Sequence, residues 1–547
     1  MSISRTARVA LLQLPAYSSD EAEASLAHTL RRIDETARER PDIIVLPEVT
    51  YPAYFIGTTA REIAGVLAPA EAMARFATKA REHGVYIAAG MALDDGRGGW
   101  ANGAALFDRR GALAGTYAKS FLWHFDGKWF SRGERWPVFE TDFGRIGMLI
   151  CADGRTPEIA RSLVLNGAQI VLDLTAWVSG GRSPEQLSTI QREFLMPARA
   201  AENGVWVAAA DKCGIEAESI VYCGRSCFID PRGTIVKELG PEDDAALVMD
   251  VPLADAAPPV ERRPELYSAL VEPTDALPVT AMLAEPIVIA DQQRYVAAVQ
   301  MAMPPTGAEF LVAARRHVER LALHDAGLVL FPATPSRVRR AYVLDEVLDG
   351  MRRIAADAGV LVAFVVWAPD GEGYRTMYLV GPEGTVGAHR QTHKPGGPRF
   401  ASMPVGDDVC GVFETPIGRI GMMLSAEGVA PEVARSLMLR GAEIILWAAD
   451  DPSLPMAMFA RARAEENAVF VACAAAPSAT GATMIVDPTG RPLATALEGR
   501  ELAVGASVNR ALSHIKQRAP GTDVVRGRQP EAYGELVAGR GAAARMV

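Results

Sequence analysis

Short apolar runs alternate with longer amphipathic stretches along most of this chain. Arg8 to Pro15 is a run of the first kind and the Ala-, Leu-, Glu- and Arg-rich stretch from Asp20 to Glu39 one of the second, which predicts a buried strand and then an amphipathic helix. A second apolar run, Ile43 to Pro47, ends at Glu48, and Thr50 to Tyr54 opens a loop. A helix is expected over Ala70 to His83, a strand over Gly84 to Gly90, a hairpin turn through the glycines near residue 98, and a strand over Ala101 to Asp108. Ile146 to Ile150 is short, apolar and bounded by glycine, as a strand buried on both faces would be. Pro157 then opens a helix with proline in its first turn. Cys151 stands between the two, at a strand's C-terminal end, where a helix N-terminus just beyond favours a thiolate. Further on, one helix is expected over Pro184 to Glu202, a strand over Val205 to Ala210, and a strand plus turn over Gly224 to Gly233. The pattern is that of an α/β chain.

The pattern then returns. Val9–Leu14 reappears as Val296–Met301, Ile44–Glu48 as Val329–Ala333, Gly115–Lys119 as Gly387–Gln391, and Phe143–Cys151 as Ile417–Ser425. Pro157–Leu165 matches Pro431–Leu439, and Arg263–Tyr267 matches Gln529–Tyr533. Repetition on this scale means two copies of one fold. The expected boundaries are a first domain over 6–270, a connector over 271–292 with three prolines, and a second domain over 293–540. Glycines, prolines and apolar runs persist in the second copy, whereas Glu48, Lys119 and Cys151 become Ala333, Gln391 and Ser425. Three polar positions that change together point to joint chemistry, kept in the first copy.

Composition narrows the partner. The 547 residues exceed what one hydrophobic core usually supports, and a net charge of −10 gives no support to nucleic-acid binding. Six cysteines, at 151, 213, 223, 227, 410 and 473, are sparse and lie mostly in apolar runs, as in a reducing compartment. No apolar run approaches the roughly 18 residues of a membrane span, and the N-terminus lacks a signal-peptide pattern, so the expected location is the cytoplasm. Cys223 and Cys227, on one expected strand, have no paired CxxC and are read as structural; His389 and His393 fall on a strand, where a four-residue spacing makes no ligand pair. No phosphate-binding loop is present.

A carboxylate, an ammonium and a thiol at strand ends suit attack on an electrophilic carbon bearing nitrogen. The carboxylate serves as base toward the thiol and then as acid toward the leaving amine, and the lysine holds the developing oxyanion. The segments LPEVTYP around Glu48, YAKSF around Lys119 and GMLICADGRTPE around Cys151 resemble, in order and spacing, the signature segments of the carbon–nitrogen hydrolases of the nitrilase superfamily. That resemblance implies two tandem four-layer αββα sandwich domains, a triad of Glu48, Lys119 and Cys151, a thioester intermediate, and no metal or organic cofactor. It also implies that the second copy serves as a built-in partner to the first, an internal pair.

The family's second acidic residue, ahead of a glycine, maps to Asp126, seven residues before Gly133, with Glu134 as the alternative. Ala152-Asp153 after the nucleophile resembles amidases and carbamoylases more than nitrile-cleaving members, which carry Trp-Glu there. The implied substrate is a small amide or N-carbamoyl compound. Nitrile hydrolysis, acyl transfer to another acceptor, and a non-catalytic binding protein are the alternatives. Trp177, Tyr54, His124 and Trp129 are the expected pocket residues, with Tyr51 a further candidate, and Arg155 and Arg182 could hold a substrate carboxylate.

Overall fold

In the computed structural model, residues 5–56, 69–287, 293–335, 342–367, 373–396, 400–407, 411–451, 454–477 and 483–539 are described; Cys410 and the end of the expected connector, 288–292, lie outside them. Among the described residues the chain divides into two compact units, one of residues up to Pro258 together with 519–523, the other of 259–518 with 524–539. The division falls at Pro258/Pro259, upstream of residue 270.

In the first unit, strands Arg5–Pro15, Ile43–Val45 and Tyr86–Asp94 run parallel. Trp100–Phe107 and Leu113–Ala118 extend the sheet antiparallel on one side, and Ala245–Leu253 pairs antiparallel with Arg5–Pro15. Helices Ala22–Thr36 and Pro69–His83 cover one face, burying Leu26, Ile33, Phe76 and Ala80 in a common core with Leu12, Ile44 and Ile87. The second sheet has Arg145–Ile150, Ile170–Leu174 and Trp206–Ala210 as its parallel centre, with Val138–Glu140, Cys227–Ile229 and Ile235–Glu238 antiparallel outside it. Helices Pro157–Leu165 and Met196–Asn203 pack on that sheet, and Arg5–Pro15 meets Trp206–Ala210 across the two sheets. Helix, sheet, sheet, helix is the four-layer order. The central strands carry unbroken apolar runs because both faces are covered.

The second unit repeats the plan. Gln293–Gln300, Ala326–Leu330 and Leu361–Trp367 are parallel, flanked by Arg375–Gly381 and by Leu502–Asn509. Gly418–Leu424, Ile444–Ala448 and Phe470–Ala474 form the parallel centre of the facing sheet. Val296, Leu328, Met422 and Leu446 share one core cluster between the sheets, and helices Gly307–Ala322 and Leu344–Ala358 cover the outer face.

Three expectations need correction. The single helix over 184–202 is absent: a 3₁₀ turn Pro184–Gln186 and a π turn Gln191–Leu195 precede a helix confined to Met196–Asn203. Pro197, with no N–H to donate, sits at the start of that helix, where the loss matters least. Cys223 and Cys227 do not share a strand; they end Ile220–Cys223 and begin Cys227–Ile229 in different sheets, across a turn at Gly224. The strand carrying His389 stops at Arg390, so His393 lies beyond it and meets Tyr267 Oη at 2.7 Å. Among the described residues Cys151, Cys213, Cys223, Cys227 and Cys473 are buried free thiols, and no helix is long and apolar enough to cross a membrane.

Candidate active site

Cys151 follows the strand Arg145–Ile150 directly and has φ +49°, the left-handed region that costs a non-glycine residue roughly 1–2 kcal/mol. Its counterpart Ser425 has φ +45°, so the scaffold, and not the thiol, holds this elbow. Asp153 is the staple. Its Oδ2 accepts from Ile150 N at 3.0 Å and Tyr117 Oη at 2.6 Å, and its Oδ1 from Ser120 N at 3.0 Å and Phe121 N at 2.7 Å. The elbow is thereby tied to the strand end that carries Lys119. Burial pushes the Asp153 carboxyl up to about 6. Glu427 does the same in the second unit, accepting from Leu424 N at 2.6 Å and from Thr392 N at 2.5 Å.

The helix begins at Pro157, as expected, and a 3₁₀ turn Cys151–Arg155 separates it from the thiol. No thiolate results: burial, and then the Glu48 charge, push the Cys151 thiol well above its usual 9.0 in spite of Lys119. A resting thiol in this position needs a base.

Glu48 supplies the candidate. It is fully buried at the end of strand Ile43–Val45, where a Cβ on Gly90 would lie 2.1 Å from Pro47 O and 2.9 Å from Glu48 Cα. Glycine alone permits that approach. Glu48 Oε1 accepts from Lys119 Nζ and from Asn102 Nδ2, both at 2.7 Å, while Oε2 has no hydrogen-bond partner among the described residues. Burial raises the Glu48 carboxyl; Lys119 lowers it and Asp126 raises it again. Lys119, also fully buried, lies 2.7 Å from Asp126 Oδ2 as well, and although burial opposes its charge, Asp126 and Glu48 outweigh this and hold it well above the usual lysine range. Asp126, buried in the one-turn helix Asp126–Trp129, also accepts from Trp123 N at 2.9 Å. Glu134 is exposed, so Asp126 is the acid that meets the lysine.

The expected pocket residues separate. Tyr54 is buried 5.8 Å below Lys119 Nζ and feels the charges of Asp126, Glu48 and Cys151. Trp129 lies with Phe55 and Phe125 in an aromatic group bordering Tyr54, with ring centroids 5.0–5.8 Å apart. Trp177 is buried, its backbone N–H held by Asp211 Oδ1 at 2.8 Å and its indole Nε1 without a partner among the described residues. His124, at a left-handed φ of +51°, is exposed, with its ring 4.7 Å from that of Phe125 in the same aromatic group. Tyr51 fills the helix-covered core, Arg155 stacks on Trp123 at 4.1 Å, and Arg182 is exposed.

Asn102, Asp173 and Asp211 were missed by sequence reasoning. Asp173 Oδ1 accepts from Cys151 N at 2.9 Å, and burial raises both Asp173 and Asp211 well above the usual carboxylate range. The repeat held the signal. Strand register pairs Asn102 with Arg375, Asp173 with Trp447 and Asp211 with Ala475, so these three change along with the triad. In the second unit Arg375 donates to Ser425 Oγ at 3.0 Å and pairs with Asp450 at 2.8 Å, placing a guanidinium beside the serine that stands where the first unit has its thiol.

Among the described residues the one cluster with metal-ligand geometry, Asp34, Glu82 and His83, is already bridged by Lys79 at 2.8–3.0 Å. The site around Cys151 offers a base, a cation and a nucleophile instead.

The chain is similar to known proteins in both halves. The family model described as carbon-nitrogen hydrolase matches residues 8–258 and again 295–513. A protein described as a hydrolase in the pqqF 5′ region of Pseudomonas protegens is 34% identical over 284 residues, covering 49% of this chain and 92% of that protein. Omega-amidase NIT2 of Mus musculus is 28% identical over 46% of this chain and 91% of its own, and an (R)-stereoselective amidase of Pseudomonas sp. 29% identical over 45% and 85%. A solved amidase of the nitrilase superfamily from Nesterenkonia is 26% identical, with a TM-score of 0.40, over 46% of this chain and 91% of that one. With the family model matched twice, across most of its length, the chain belongs to the carbon–nitrogen hydrolases of the nitrilase superfamily, two copies in tandem.

Proposed function

We propose that the first unit is a thiol amidohydrolase acting on a small amide or N-carbamoyl compound, with Glu48, Lys119 and Cys151 as its catalytic residues and Asp126 positioning the lysine. The observation that carries this is the division of labour at Glu48: Oε1 is tied to Lys119 and Asn102, Oε2 has no partner among the described residues, and the Glu48 charge acts on the Cys151 thiol. Oε2 takes the thiol proton as sulfur attacks the carbonyl carbon. Lys119 Nζ, charged and dry, stabilises the oxyanion. Glu48 returns the proton to the nitrogen, the C–N bond breaks, and ammonia or an amine departs, leaving a thioester. Water then attacks the thioester while giving its proton to Glu48, the C–S bond breaks, and Glu48 reprotonates the sulfur as the acid leaves.

Tyr54, Trp129 and Trp177 make the aromatic wall of the acyl site, and the unpartnered Trp177 indole N–H is a donor for a polar acyl group. Ala152-Asp153 after the nucleophile, where nitrile-cleaving members carry Trp-Glu, favours amides over nitriles. The second unit, with Ala333, Gln391 and Ser425 in place of the triad, contributes no turnover of its own. The test is ammonia release by the full-length chain from a panel of linear amides, N-carbamoyl compounds and nitriles, with Cys151→Ala as control. Release from amides or carbamoyl compounds that disappears in the variant is the expected result. Turnover confined to nitriles, or none at all, contradicts the proposal.

A further inference from the structure

The loop that joins Lys119 to Asp126 is held at three consecutive backbone positions. Trp123 N–H donates to Asp126 Oδ2 at 2.9 Å, which fixes the carboxylate that faces Lys119. The residues on either side of Trp123 meet a single hydroxyl: Thr522 Oγ1 accepts from His124 N at 2.8 Å and donates to Leu122 O at 3.0 Å. Thr522 is only 2% exposed, and it lies 398 positions from His124, in the segment 519–523 that completes the first unit. A hydroxyl can bridge an N–H and a C=O because it both accepts and donates, and with it gone both groups lose their partner. His124 sits at φ +51°, a conformation that a non-glycine residue leaves when released.

The second unit holds its corresponding loop in another way. There Gly396 N donates to Pro259 O at 2.8 Å and Glu261 N to Lys394 O at 3.2 Å, while Arg263 Nη1 donates to Thr392 O at 3.0 Å and Tyr267 Oη meets His393 Nε2 at 2.7 Å. In the loop beside Asp126, by contrast, the contacts on both sides of Trp123 converge on one threonine hydroxyl.

We propose that Thr522 is a positioning residue for the active site: it clamps Leu122 and His124 so that the Trp123 amide aims at Asp126 and Asp126 at Lys119. This rests on the amidohydrolase reading above. It means that the far end of the chain supplies part of the machinery of the first unit.

The test uses the full-length protein with Thr522→Val, which keeps the shape and removes the hydroxyl, and Thr522→Ser, which keeps the hydroxyl. With an amide that the wild type turns over, Thr522→Val is expected to lower kcat about tenfold while KM stays within roughly twofold. The acid limb of its pH profile moves down, because a displaced Asp126 no longer raises the Glu48 carboxyl. Hydrogen exchange at the 122–124 amides speeds up, and Thr522→Ser restores all three readouts. Wild-type kcat and exchange in Thr522→Val, or equal damage in both variants, overturns the clamp. Should Thr522→Val fail to fold, Thr522→Ala takes its place under the same criteria. A wild type that hydrolyses neither an amide nor an N-carbamoyl compound defeats the amidohydrolase reading instead, and exchange at 122–124 then decides the clamp alone: unchanged protection in the valine variant overturns it.

Discussion

Replacing Asp126 by asparagine separates the electrostatic part of the site from its shape. The buried cluster of Glu48, Lys119 and Asp126 holds two carboxylates against one ammonium, with both Lys119 contacts at 2.7 Å. Coulomb attraction at that distance is about 6 kcal/mol for an effective dielectric constant near 20, an upper bound before desolvation is counted. Asparagine keeps an acceptor for Trp123 N and Lys119 Nζ, so the loss is that of a charge-assisted hydrogen bond, roughly 1.5–3 kcal/mol. Part of it is offset because Asp126 and Glu48 repel, and the variant cluster is neutral. The fold should therefore lose about 2 kcal/mol or less, a few degrees in Tm for a unit of this size. Activity should lose more. Asp126 raises the Glu48 carboxyl, so its removal weakens the base that must take the thiol proton, and Lys119 loses one of its two anchors. We expect kcat/KM to fall by about 10²- to 10³-fold, with the acid limb of the pH profile moving to lower pH. Steady-state kinetics from acid to neutral pH, alongside thermal unfolding, measures both effects. Undiminished kcat/KM, or an acid limb that moves up, would refute the reasoning.

Other expectations follow from the same geometry. Because burial and Glu48 keep the Cys151 thiol protonated, titration of wild type against Cys151→Ala should show no additional thiolate ultraviolet absorbance up to pH 9.0; thiolate absorbance near neutrality would contradict the assignment of Glu48 as base. Asp153 has its folded pKa raised to about 6 from 3.8, so its contribution to stability is fully present below the lower value and lost as pH rises through the upper. The stability of wild type relative to Asp153→Asn, from denaturant titrations, should accordingly improve by about 2 kcal/mol between pH 7 and pH 4. Gly90→Ala would press a methyl group on Pro47 O and Glu48 Cα; we expect a stability loss of about 1–3 kcal/mol and at least a tenfold loss of kcat, since the displaced backbone carries Glu48.

Much of this architecture could be read from the residues, and the reasons are local. The strands ending at Pro15, Ile150 and Ala210 announce themselves because both their faces are buried, which leaves uninterrupted apolar runs. Glu48, Lys119 and Cys151 stand out because the second copy keeps the scaffold and drops these side chains. What escaped is set by contacts distant in sequence. Asn102 meets Glu48 from 54 positions away and Asp173 meets the Cys151 amide from 22, and only strand register shows that Arg375 and Trp447 replace them. The helix expected over 184–202 is interrupted where contacts distant in sequence hold the chain: Ser179 Oγ accepts from Ser188 N at 3.1 Å and donates to Ser188 O at 3.0 Å, and Gln191 Nε2 donates to Cys151 O at 2.7 Å.

The central claim is that Cys151 attacks the substrate and carries its acyl group. Intact-protein mass spectrometry of wild type, Cys151→Ala and Glu48→Gln, quenched in acid during turnover of an amide that releases ammonia, tests it most directly. The account predicts an adduct on wild type whose mass equals the acyl group less one hydrogen, mapped to the peptide holding Cys151, absent from Cys151→Ala and strongly reduced in Glu48→Gln. Ammonia release that persists in Cys151→Ala, or an adduct mapped to any other residue, would contradict it.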